Sequence, residues 1–459
     1  MSWSHKQISV LTAVSITSFM GTFLVSAINI ALPSFEKSFS LNAIQLSWII
    51  TSFILATAMF LLPVGKWGDT YGNSKFYKTG LIIFTLSTIL CAVAPNATWL
   101  IAARFFQGIG SAFSSTTGQA ILVSEFPSKN RGQVLGISVS AVYVGLALGP
   151  FLGGIIVQQS GWQMLFYIAA ALGILATIIA FRFLQDHKKE VNKNNKSTIT
   201  DTLIFMTGLL LITYGSSQIP DIEGWMMMSV GVILLILFWI FETKTEHPLL
   251  DTKLFTRNKL FAYSNIAALI NYTATFAIVF FLSLYLQKIR GMSPQLAGSI
   301  IIAQPIMMTI LSPFAGRLSD KTQPRYLASL GMFICTTGLF ALGFVSETTP
   351  IWMIISILVW VGIGFASFST PNMSTIMSSV DRTRYGQASG TASSMRVFGQ
   401  IIGMTIVTVY FAYLFGNKSV DEVGNEVFLT AMRRGFLTFA IIGLSGIYFS
   451  FSRGNIKRN

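Results

Sequence analysis

Charged side chains, cysteine and histidine are all scarce in this chain. Only 10% of its 459 residues are charged, whereas soluble domains carry about 25%. The cysteines Cys91 and Cys335 lie far apart inside apolar stretches, and the three histidines share no site. These histidines are His5, His187 and His247. The shortages exclude a soluble enzyme and a disulfide-stapled domain, and they supply no ligand cluster for a metal. We therefore expect no enzyme activity and no metal site.

Acidic residues are missing from the apolar stretches. All 17 aspartates and glutamates fall in loops or near the ends of these stretches, whereas two arginines, Arg104 and Arg396, lie inside them. The net charge of +14 comes mostly from short basic loops, which the positive-inside rule of membrane proteins explains better than nucleic-acid binding does. No nucleic-acid partner is expected. The chain also lacks a phosphate-binding loop of the Walker type, which argues against direct use of ATP.

The apolar residues are grouped in stretches long enough to cross a bilayer. A membrane core needs about 20 apolar residues per helix. On this basis the sequence predicts an all-α membrane protein with fourteen spanning helices, the first of them retained and not cleaved as a signal peptide. The predicted spans are 8–32, 44–64, 78–95, 98–122, 133–157, 162–184, 200–219, 226–243, 260–287, 295–315, 326–345, 351–378, 385–415 and 433–452.

The basic residues are distributed unevenly on the two sides of these spans. Most of the 31 lysines and arginines fall on the side that holds both termini. Because basic loops stay in the cytoplasm, the sequence predicts cytoplasmic termini in a multi-pass protein of a prokaryotic cytoplasmic membrane.

Two hydrophilic junctions divide the chain into three parts. We predict a six-helix half over residues 1–185, a linker with two inserted helices over 186–259, and a second six-helix half over 260–459. A Gly-x-x-x-Asp pattern follows the second span of each half, as Gly65 with Asp69 and as Gly316 with Asp320. Transporters are commonly built from such repeats, with the substrate site between them.

Four sequence elements occur in register along the chain. They are the loop motif over 65–80, the arginine-bearing segment 104–110, the glycine-rich segment 145–154 and the junction 283–298. Together they resemble the major facilitator superfamily, specifically its fourteen-helix drug:proton antiporter branch. The resemblance implies two six-helix halves that rock around a central site. It also implies multidrug-type efflux of small amphipathic compounds by proton antiport, in a monomer without a cofactor.

Two departures from that branch concern charge. Exporters of cationic drugs commonly carry an aspartate in the first span, where this chain has Leu24. The loop motif usually has basic residues just after Gly72, where this chain has Asn73 and Ser74. With two membrane arginines and no membrane acid, we expect neutral or anionic compounds to be preferred over permanent dications.

Polar residues inside the apolar spans are the candidates for substrate contact and coupling. They are Arg104, Gln107, Asn29, Asn271, Tyr272, Gln304 and Arg396. The resemblance favours a coupling role for Arg104, and the alternative is a structural arginine bound to a backbone carbonyl of a neighbouring helix. Arg396 either lines the cavity or extends to the cytoplasmic face. The other residues either contact substrate or link helices.

A second set of residues is predicted to act in gating. It consists of Asp69, Arg131, Gly65, Gly72, Gly145, Gly149, Pro150, Gly153 and Asp320. Asp69 and Arg131 are interpreted as an ion-pair latch on the cytoplasmic side, the alternative being an ordinary turn aspartate and loop arginine. Gly145, Gly149 and Gly153 fall on one helix face, which is expected to pack against a partner helix and seal the path.

The expected function is secondary active export of small amphipathic compounds, with proton antiport implied by the resemblance alone. The expected partners are a small-molecule substrate, protons and the lipid bilayer. One alternative is transport of an anionic or lipid-like metabolite, suggested by arginines without acids. A remote alternative is a membrane-embedded lipid-modifying enzyme, which would need a cluster of histidine or acidic residues that the sequence does not provide.

Overall fold

The computed structural model describes residues 3–127, 130–185, 199–245, 248–381 and 384–455. These residues form helices and loops, with no strand among them. The first six helices are α1 (His5–Phe39), α2 (Ala43–Tyr71), α3 (Asn73–Ala92), α4 (Ala97–Glu125), α5 (Arg131–Ser160) and α6 (Gln163–Phe183). The next three are α7 (Ile199–Gly215), α8 (Ile222–Lys244) and the short α9 (Thr252–Arg257).

The remaining helices form the second half. They are α10 (Lys259–Thr275), α11 (Ala277–Leu284), a π-helical turn (Tyr285–Ile289), α12 (Pro294–Ile301), α13 (Ala303–Lys321), α14 (Pro324–Leu342), α15 (Ile351–Ser378), α16 (Tyr385–Phe415) and α17 (Gly424–Ser452). The division at 185/186 adjoins residues 186–198, which lie outside the described residues. The three-part division therefore stays a prediction.

Within the described ranges, 12 helical stretches are long and apolar enough to cross a membrane. α10, α11 and the π-helical turn form one such stretch, and α12 with α13 forms another. Two further helices match predicted spans: α4 has 29 residues but carries Arg104, and α7 has only 17 residues. The all-α membrane fold is confirmed, while the count of fourteen spans stays a prediction.

Polar caps and one glycine fix where these helices begin and end. Ser4 caps α1 and Asn42 caps α2, each in a reciprocal pair with the glutamine three residues later. Such pairs satisfy backbone N–H groups that the first helical turn leaves free. Gly72 joins α2 to α3 with φ of 107°, a backbone conformation that favours glycine. The predicted importance of Gly72 therefore has a local cause, the tight α2–α3 turn.

Glycines bring the helices of each half into close contact. A Cβ atom added to Gly149 of α5 would lie 2.5 Å from the Ser26 Cβ and 3.0 Å from the Phe23 oxygen of α1. In the second half, a Cβ on Gly403 of α16 would lie 2.8 Å from the Thr273 oxygen of α10. The predicted glycine face of α5 thus packs against α1, and α16 packs against α10 in the same way.

Equivalent contacts recur in the other helix pairs. A Cβ on Gly173 of α6 would lie 2.5 Å from the Thr85 hydroxyl of α3, and one on Gly443 of α17 would lie 2.5 Å from the Thr336 hydroxyl of α14. Likewise a Cβ on Gly65 would lie 3.3 Å from the Thr116 Cγ2 of α4, and one on Gly316 would lie 3.3 Å from the Thr370 Cγ2 of α15. These matched contacts align the two halves residue by residue.

The inserted helices α7 and α8 pack against each other and against both halves. The Trp48 indole of α2 donates a hydrogen bond to the Ser217 hydroxyl at 2.7 Å. The rings of Phe205 in α7 and Phe398 in α16 lie 5.7 Å apart. The insert therefore contacts α2 of the first half and α16 of the second.

The helix bundle has two ends, named here from the chain termini. The terminal face holds the start of α1 and the end of α17, and Lys6 of α1 pairs there with Glu125 of α4 at 3.1 Å. The distal face holds the end of α1 and the start of α2.

We predict that bulk on the glycine face of α5 is not tolerated. Gly149→Leu should lower the thermal unfolding midpoint of the detergent-solubilised protein, because overpacking typically costs about 1–3 kcal/mol. Gly136→Leu on the same helix is the matched control, since a Cβ on Gly136 meets nothing within 4 Å. Equal midpoints for the two variants would contradict the predicted close packing of α1 and α5.

Candidate functional site

The two halves touch at the distal end of the seam between them. A Cβ on Gly154 of α5 would lie 3.0 Å from the Gln295 Cα of α12, and one on Gly298 of α12 would collide with the Pro150 oxygen. Pro150 has no N–H, so the Leu146 carbonyl one turn earlier lacks its helical donor. The Ser26 hydroxyl of α1 donates to that carbonyl at 3.2 Å. The predicted gating residue Pro150 thus lies in a backbone contact between the halves.

Polar groups also cross the seam near this end. The Ser283 hydroxyl of α11 donates to the Asn29 carbonyl at 2.5 Å, and the Gln287 amide donates to the Ile30 carbonyl at 2.9 Å. The side-chain amide of Asn29 donates to Val25 within its own helix at 2.8 Å. Asn29 therefore lies on the seam, as a substrate role requires, but its backbone makes the contact between the halves.

An ion-pair cluster joins the halves at the distal face. Lys288 of the second half lies 2.5 Å from Glu36 of α1 and 2.8 Å from Asp421 of the α16–α17 loop. The Val420 N–H donates to Glu36 at 3.1 Å. The side chains of Lys288 and Glu36 are only 9% and 5% exposed. This cluster was not predicted from the sequence because Glu36 resembles an ordinary acid at the end of a span, although Lys288 is one of the few basic residues predicted outside.

A cleft of about 560 Å³ opens at the terminal face, between the end of α2, the connection from α8 to α10 and the start of α16. Its walls include Asp69 at the end of α2 and Arg384 and Gln387 at the start of α16. The side chains of Arg131 and Asp320 lie outside the described residues. The predicted latch between Asp69 and Arg131 therefore stays a prediction, although Asp69 does border the opening.

Arg104 lies inside the first half, between α2, α3 and α4. Its guanidinium donates to the Ile49 carbonyl at 3.1 Å and to the Gln107 side chain, and it lies 4.3 Å from the centre of the Phe53 ring. Gln107 in turn donates to the Thr88 hydroxyl at 2.5 Å. Arg104 is 1% exposed and Gln107 is 0% exposed. The coupling role predicted for Arg104 and Gln107 is untested, and the contacts are those of the structural alternative.

The second half has apolar residues where the first half has this polar cluster. Gly110 contacts Gly80 as Gly364 contacts Gly331, and this match aligns α4 with α15 and α3 with α14. The residues equivalent to Arg104, Gln107 and Thr88 are then Leu358, Val361 and Leu339, all 0% exposed. The same helix arrangement thus packs around either a polar or an apolar group of three side chains.

Arg396 is partly exposed and lies about 16 Å along α16 from its first residue. Tyr272 of α10 has Arg396 and Tyr143 of α5 as electrostatic neighbours and lies next to Ser369 of α15. The Tyr272 ring packs at 5.5 Å against Phe365. Arg396 and Tyr272 were predicted from the sequence, whereas Tyr143 and Ser369 were missed because a partly buried tyrosine or serine in a span has no distinguishing pattern.

The other predicted polar residues are dispersed. The Asn271 amide donates to the Met332 sulfur at 3.1 Å within the second half. Gln304 of α13 is 7% exposed, and its Oε1 has no hydrogen-bond partner among the described residues. Arg453, just after α17, is 2% exposed and donates to Asn372 at 2.6 Å. The structure therefore groups Tyr272 with Arg396 but leaves Asn271 away from the seam.

Comparison with known proteins identifies the family. A family model described as the Major Facilitator Superfamily matches residues 14–404. The chain belongs to the major facilitator superfamily. The predicted superfamily and its fold are thereby confirmed, and the chain is a multi-pass membrane transporter and not an enzyme.

The chain is also similar to individual transporters along most of its length. It is 31% identical to the riboflavin transporter RibZ of Clostridioides difficile (strain 630), over 95% of each chain. It is 28% identical to the multidrug resistance protein Stp of Mycobacterium tuberculosis (strain CDC 1551 / Oshkosh), over 88% of this chain and 76% of that protein. The methylenomycin A resistance protein of Bacillus subtilis (strain 168) is 28% identical, over 89% of this chain and 88% of that protein.

A solved structure agrees with the fold. The bacterial homologue of the human lysosomal transporter Spinster, inward-facing and unoccupied, matches with a TM-score of 0.69 and 16% identity over 98% of each chain. At this identity the match supports the fold alone.

We predict that Arg104, Gln107 and Thr88 act as one structural unit. Arg104→Leu should lower the thermal midpoint, because it leaves buried polar groups without a partner at about 1–3 kcal/mol each. Adding Gln107→Val and Thr88→Leu, the residues of the second half, should restore most of the loss. A triple variant that folds like wild type but transports nothing would support the coupling role instead.

We also predict that the Glu36–Lys288 pair holds the distal face closed. The reporter is a cysteine introduced by Ser47→Cys. Ser47 lies one turn into α2, and in the wild type its hydroxyl is 3.1 Å from the Thr408 hydroxyl across the seam. Glu36→Gln should open this contact and expose the introduced cysteine. A membrane-impermeant maleimide applied to the distal side should then react roughly fivefold faster, a shift of about 1 kcal/mol. The native Cys91 and Cys335 are buried and should stay unlabelled.

Lys37→Gln is the matched control for this labelling. Lys37 is the exposed neighbour of Glu36 in α1, so its loss changes the local charge without removing the pair with Lys288. If both variants react at the wild-type rate, the ion pair does not contribute to closure.

Proposed function

We propose that this transporter exports small amphipathic compounds across a cytoplasmic membrane by alternating access coupled to proton antiport. The supporting observations are the seam, which α5, α12 and the Glu36–Lys288 pair close at the distal face, and the cleft at the terminal face between α2, the α8–α10 connection and α16. The bias of basic residues supports a cytoplasmic position for the terminal face. The cleft is then on the side from which an exporter takes its substrate.

The proposed path runs from the cleft to the seam at Tyr143, Tyr272 and Arg396. A compound bound there lies below the distal contacts, which must separate for release, while the terminal ends of the halves approach each other. Such rigid-body rocking around a fixed site is the general mode of transporters built from repeats. The tight glycine contacts within each half keep its helices together during this movement.

Proton antiport needs a group that binds a proton. Three described carboxylates are buried, and all lie near the faces: Glu36 at the distal face and Asp201 and Glu242 at the terminal face, 4%, 7% and 1% exposed. We expect the coupling proton to bind among these residues, since the sequence provides no acid in the middle of the spans. The similarity to a multidrug resistance protein and to a methylenomycin A resistance protein supports export.

Transport of a metabolite is the second candidate. The observation in its favour is the similarity to a riboflavin transporter over 95% of both chains. A flavin has a planar ring system, which suits the pair of tyrosines at the seam. Export of drugs and transport of a flavin use the same fold, and the panel of compounds in the assay decides between them.

The test is flux into inverted membrane vesicles, whose outer surface is the cytoplasmic one. We predict that vesicles with the protein accumulate neutral or anionic amphiphiles when their interior is acidified, and that a proton ionophore abolishes the accumulation. Vesicles without the protein are the control. Accumulation of riboflavin alone would favour the second candidate, and accumulation that ignores the pH gradient would contradict antiport.

A further inference from the structure

We propose that Arg396, and not Arg104, is the charge that meets the transported compound, and that Arg396 with Tyr143 and Tyr272 selects planar aromatic compounds bearing an anionic group. This assignment deepens the proposed function and rests on it for the claim that the compound is transported. It names the class of compound that binds at the seam, and it assigns different roles to two arginines that the sequence could not distinguish.

The first step is the difference in hydrogen bonding between the two arginines. Arg104 is 1% exposed, and its guanidinium is held by Ile49 and Gln107 inside the first half. Arg396 is partly exposed, and its guanidinium makes no hydrogen bond or ion pair with any described residue. A charge inside a membrane protein that lacks a partner usually faces a water-filled path or a ligand. Arg396 therefore has donors available where Arg104 does not.

The second step is the position of Arg396 on its helix. Gly399 and Gly403 of α16 face α10. A Cβ atom added to Gly399 would lie 2.8 Å from the Tyr272 Cβ. Arg396 precedes them by three and seven residues, which in an α-helix is the same face. This register places Arg396 on the α10-facing side of α16, one turn closer to the terminal face than Gly399. The electrostatic link between Arg396 and Tyr272 agrees with this placement.

The third step is a comparison with the repeat. Gly145 contacts the Phe19 carbonyl of α1 as Gly399 contacts the Leu269 carbonyl of α10. In this alignment Val142 is equivalent to Arg396, and Thr22 is equivalent to Tyr272. The first half therefore packs the same helix pair with a valine and a threonine, so packing does not require an arginine and a tyrosine. Their presence in the second half has another cause, and ligand contact supplies one.

The fourth step concerns the opposite wall of the seam. Tyr143 follows Val142 on α5 and lies about half a helical turn away from Gly145, the residue that packs against α1. It therefore points away from α1 and towards the second half, where Tyr272 is its electrostatic neighbour. Tyrosine rings on both sides of the seam offer flat apolar faces to a planar ring system.

The last step is the choice of charge. The buried carboxylates Glu36, Asp201 and Glu242 are near the two faces, so none is expected to neutralise Arg396 in the middle of the bundle. A guanidinium donates paired hydrogen bonds to a carboxylate, phosphate or sulfonate. A cation in the same place would be repelled. A planar aromatic anion satisfies both the tyrosine rings and the guanidinium.

The experiment compares two probes with one ring system and opposite charges, anthracenecarboxylate and aminomethylanthracene. Their equilibrium binding to the purified full chain in detergent is followed by anthracene fluorescence. We expect the wild type to bind the carboxylate more tightly. Arg396→Gln should weaken carboxylate binding about tenfold or more, as expected for loss of a charged hydrogen bond, and should leave amine binding nearly unchanged.

Three further variants separate charge from shape and from folding. Arg434→Gln removes an exposed arginine of α17 and should keep the wild-type preference. Tyr143→Ala should weaken both probes to a similar extent, because it removes a ring and not a charge. Arg396→Lys should keep the preference for the carboxylate but bind it with lower affinity. Lysine retains the charge but lacks the planar guanidinium that donates two parallel hydrogen bonds to a carboxylate. Arg396→Lys replaces Arg396→Gln if the thermal midpoint shows that the latter does not fold.

Each outcome supports or overturns the assignment. A wild type that binds the amine equally well or better, or an Arg396→Gln variant with unchanged carboxylate affinity, overturns it. Failure of the proposed export has a different signature, because binding would still depend on Arg396 while vesicles accumulate no compound. If vesicles with the Arg396→Gln variant accumulate the carboxylate as well as the wild type does, the proposed export stands but Arg396 is not part of the binding site.

Discussion

The structure depends on one constraint, that polar groups buried in a membrane bundle must find their partners within the protein. Arg104 meets it completely, with a backbone carbonyl, an amide and an aromatic ring around its guanidinium. The same constraint explains why Ser26 donates to the carbonyl that Pro150 leaves free. Arg396 does not meet it with the described residues. Because Arg396 is partly exposed, water or a ligand can supply the partner that the protein does not.

Close packing within the halves and polar contact between them have different consequences for movement. Glycine contacts such as Gly149 with Ser26, or Gly110 with Gly80, leave no room for adjustment, so each half is expected to move as a body. The contacts across the seam include the close backbone approach of α5 and α12 and also hydroxyls, amides and one ion-pair cluster. Separating them exposes groups that water can solvate, and the seam is therefore the place where the bundle can open.

Much of the fold was predictable because it depends on local patterns. The lengths of the apolar spans, the basic loops and the recurrence of Gly65 at Gly316 are visible in one dimension, and they led to the correct superfamily. The Glu36–Lys288 pair was not predictable, because its members are remote in sequence and each looks like an ordinary loop residue. The contact of Arg453 was not predictable for a similar reason, since Asn372, which accepts its hydrogen bond, is remote in sequence. The roles of Arg104 and Arg396 depend on which neighbour each helix face meets, which periodicity alone does not give.

The chemistry of the distal contact suits a gate that opens repeatedly. An apolar seal of the same size would lose about 25 cal/mol for every Å² exposed to water. An ion pair such as Glu36 with Lys288 contributes little net free energy when burial of both charges is included, because water replaces each partner once they separate. Closure is then specific in geometry, and opening the gate costs little free energy. The close glycine contacts within each half, such as Gly149 with Ser26 and Gly403 with Thr273, are not broken by such a movement.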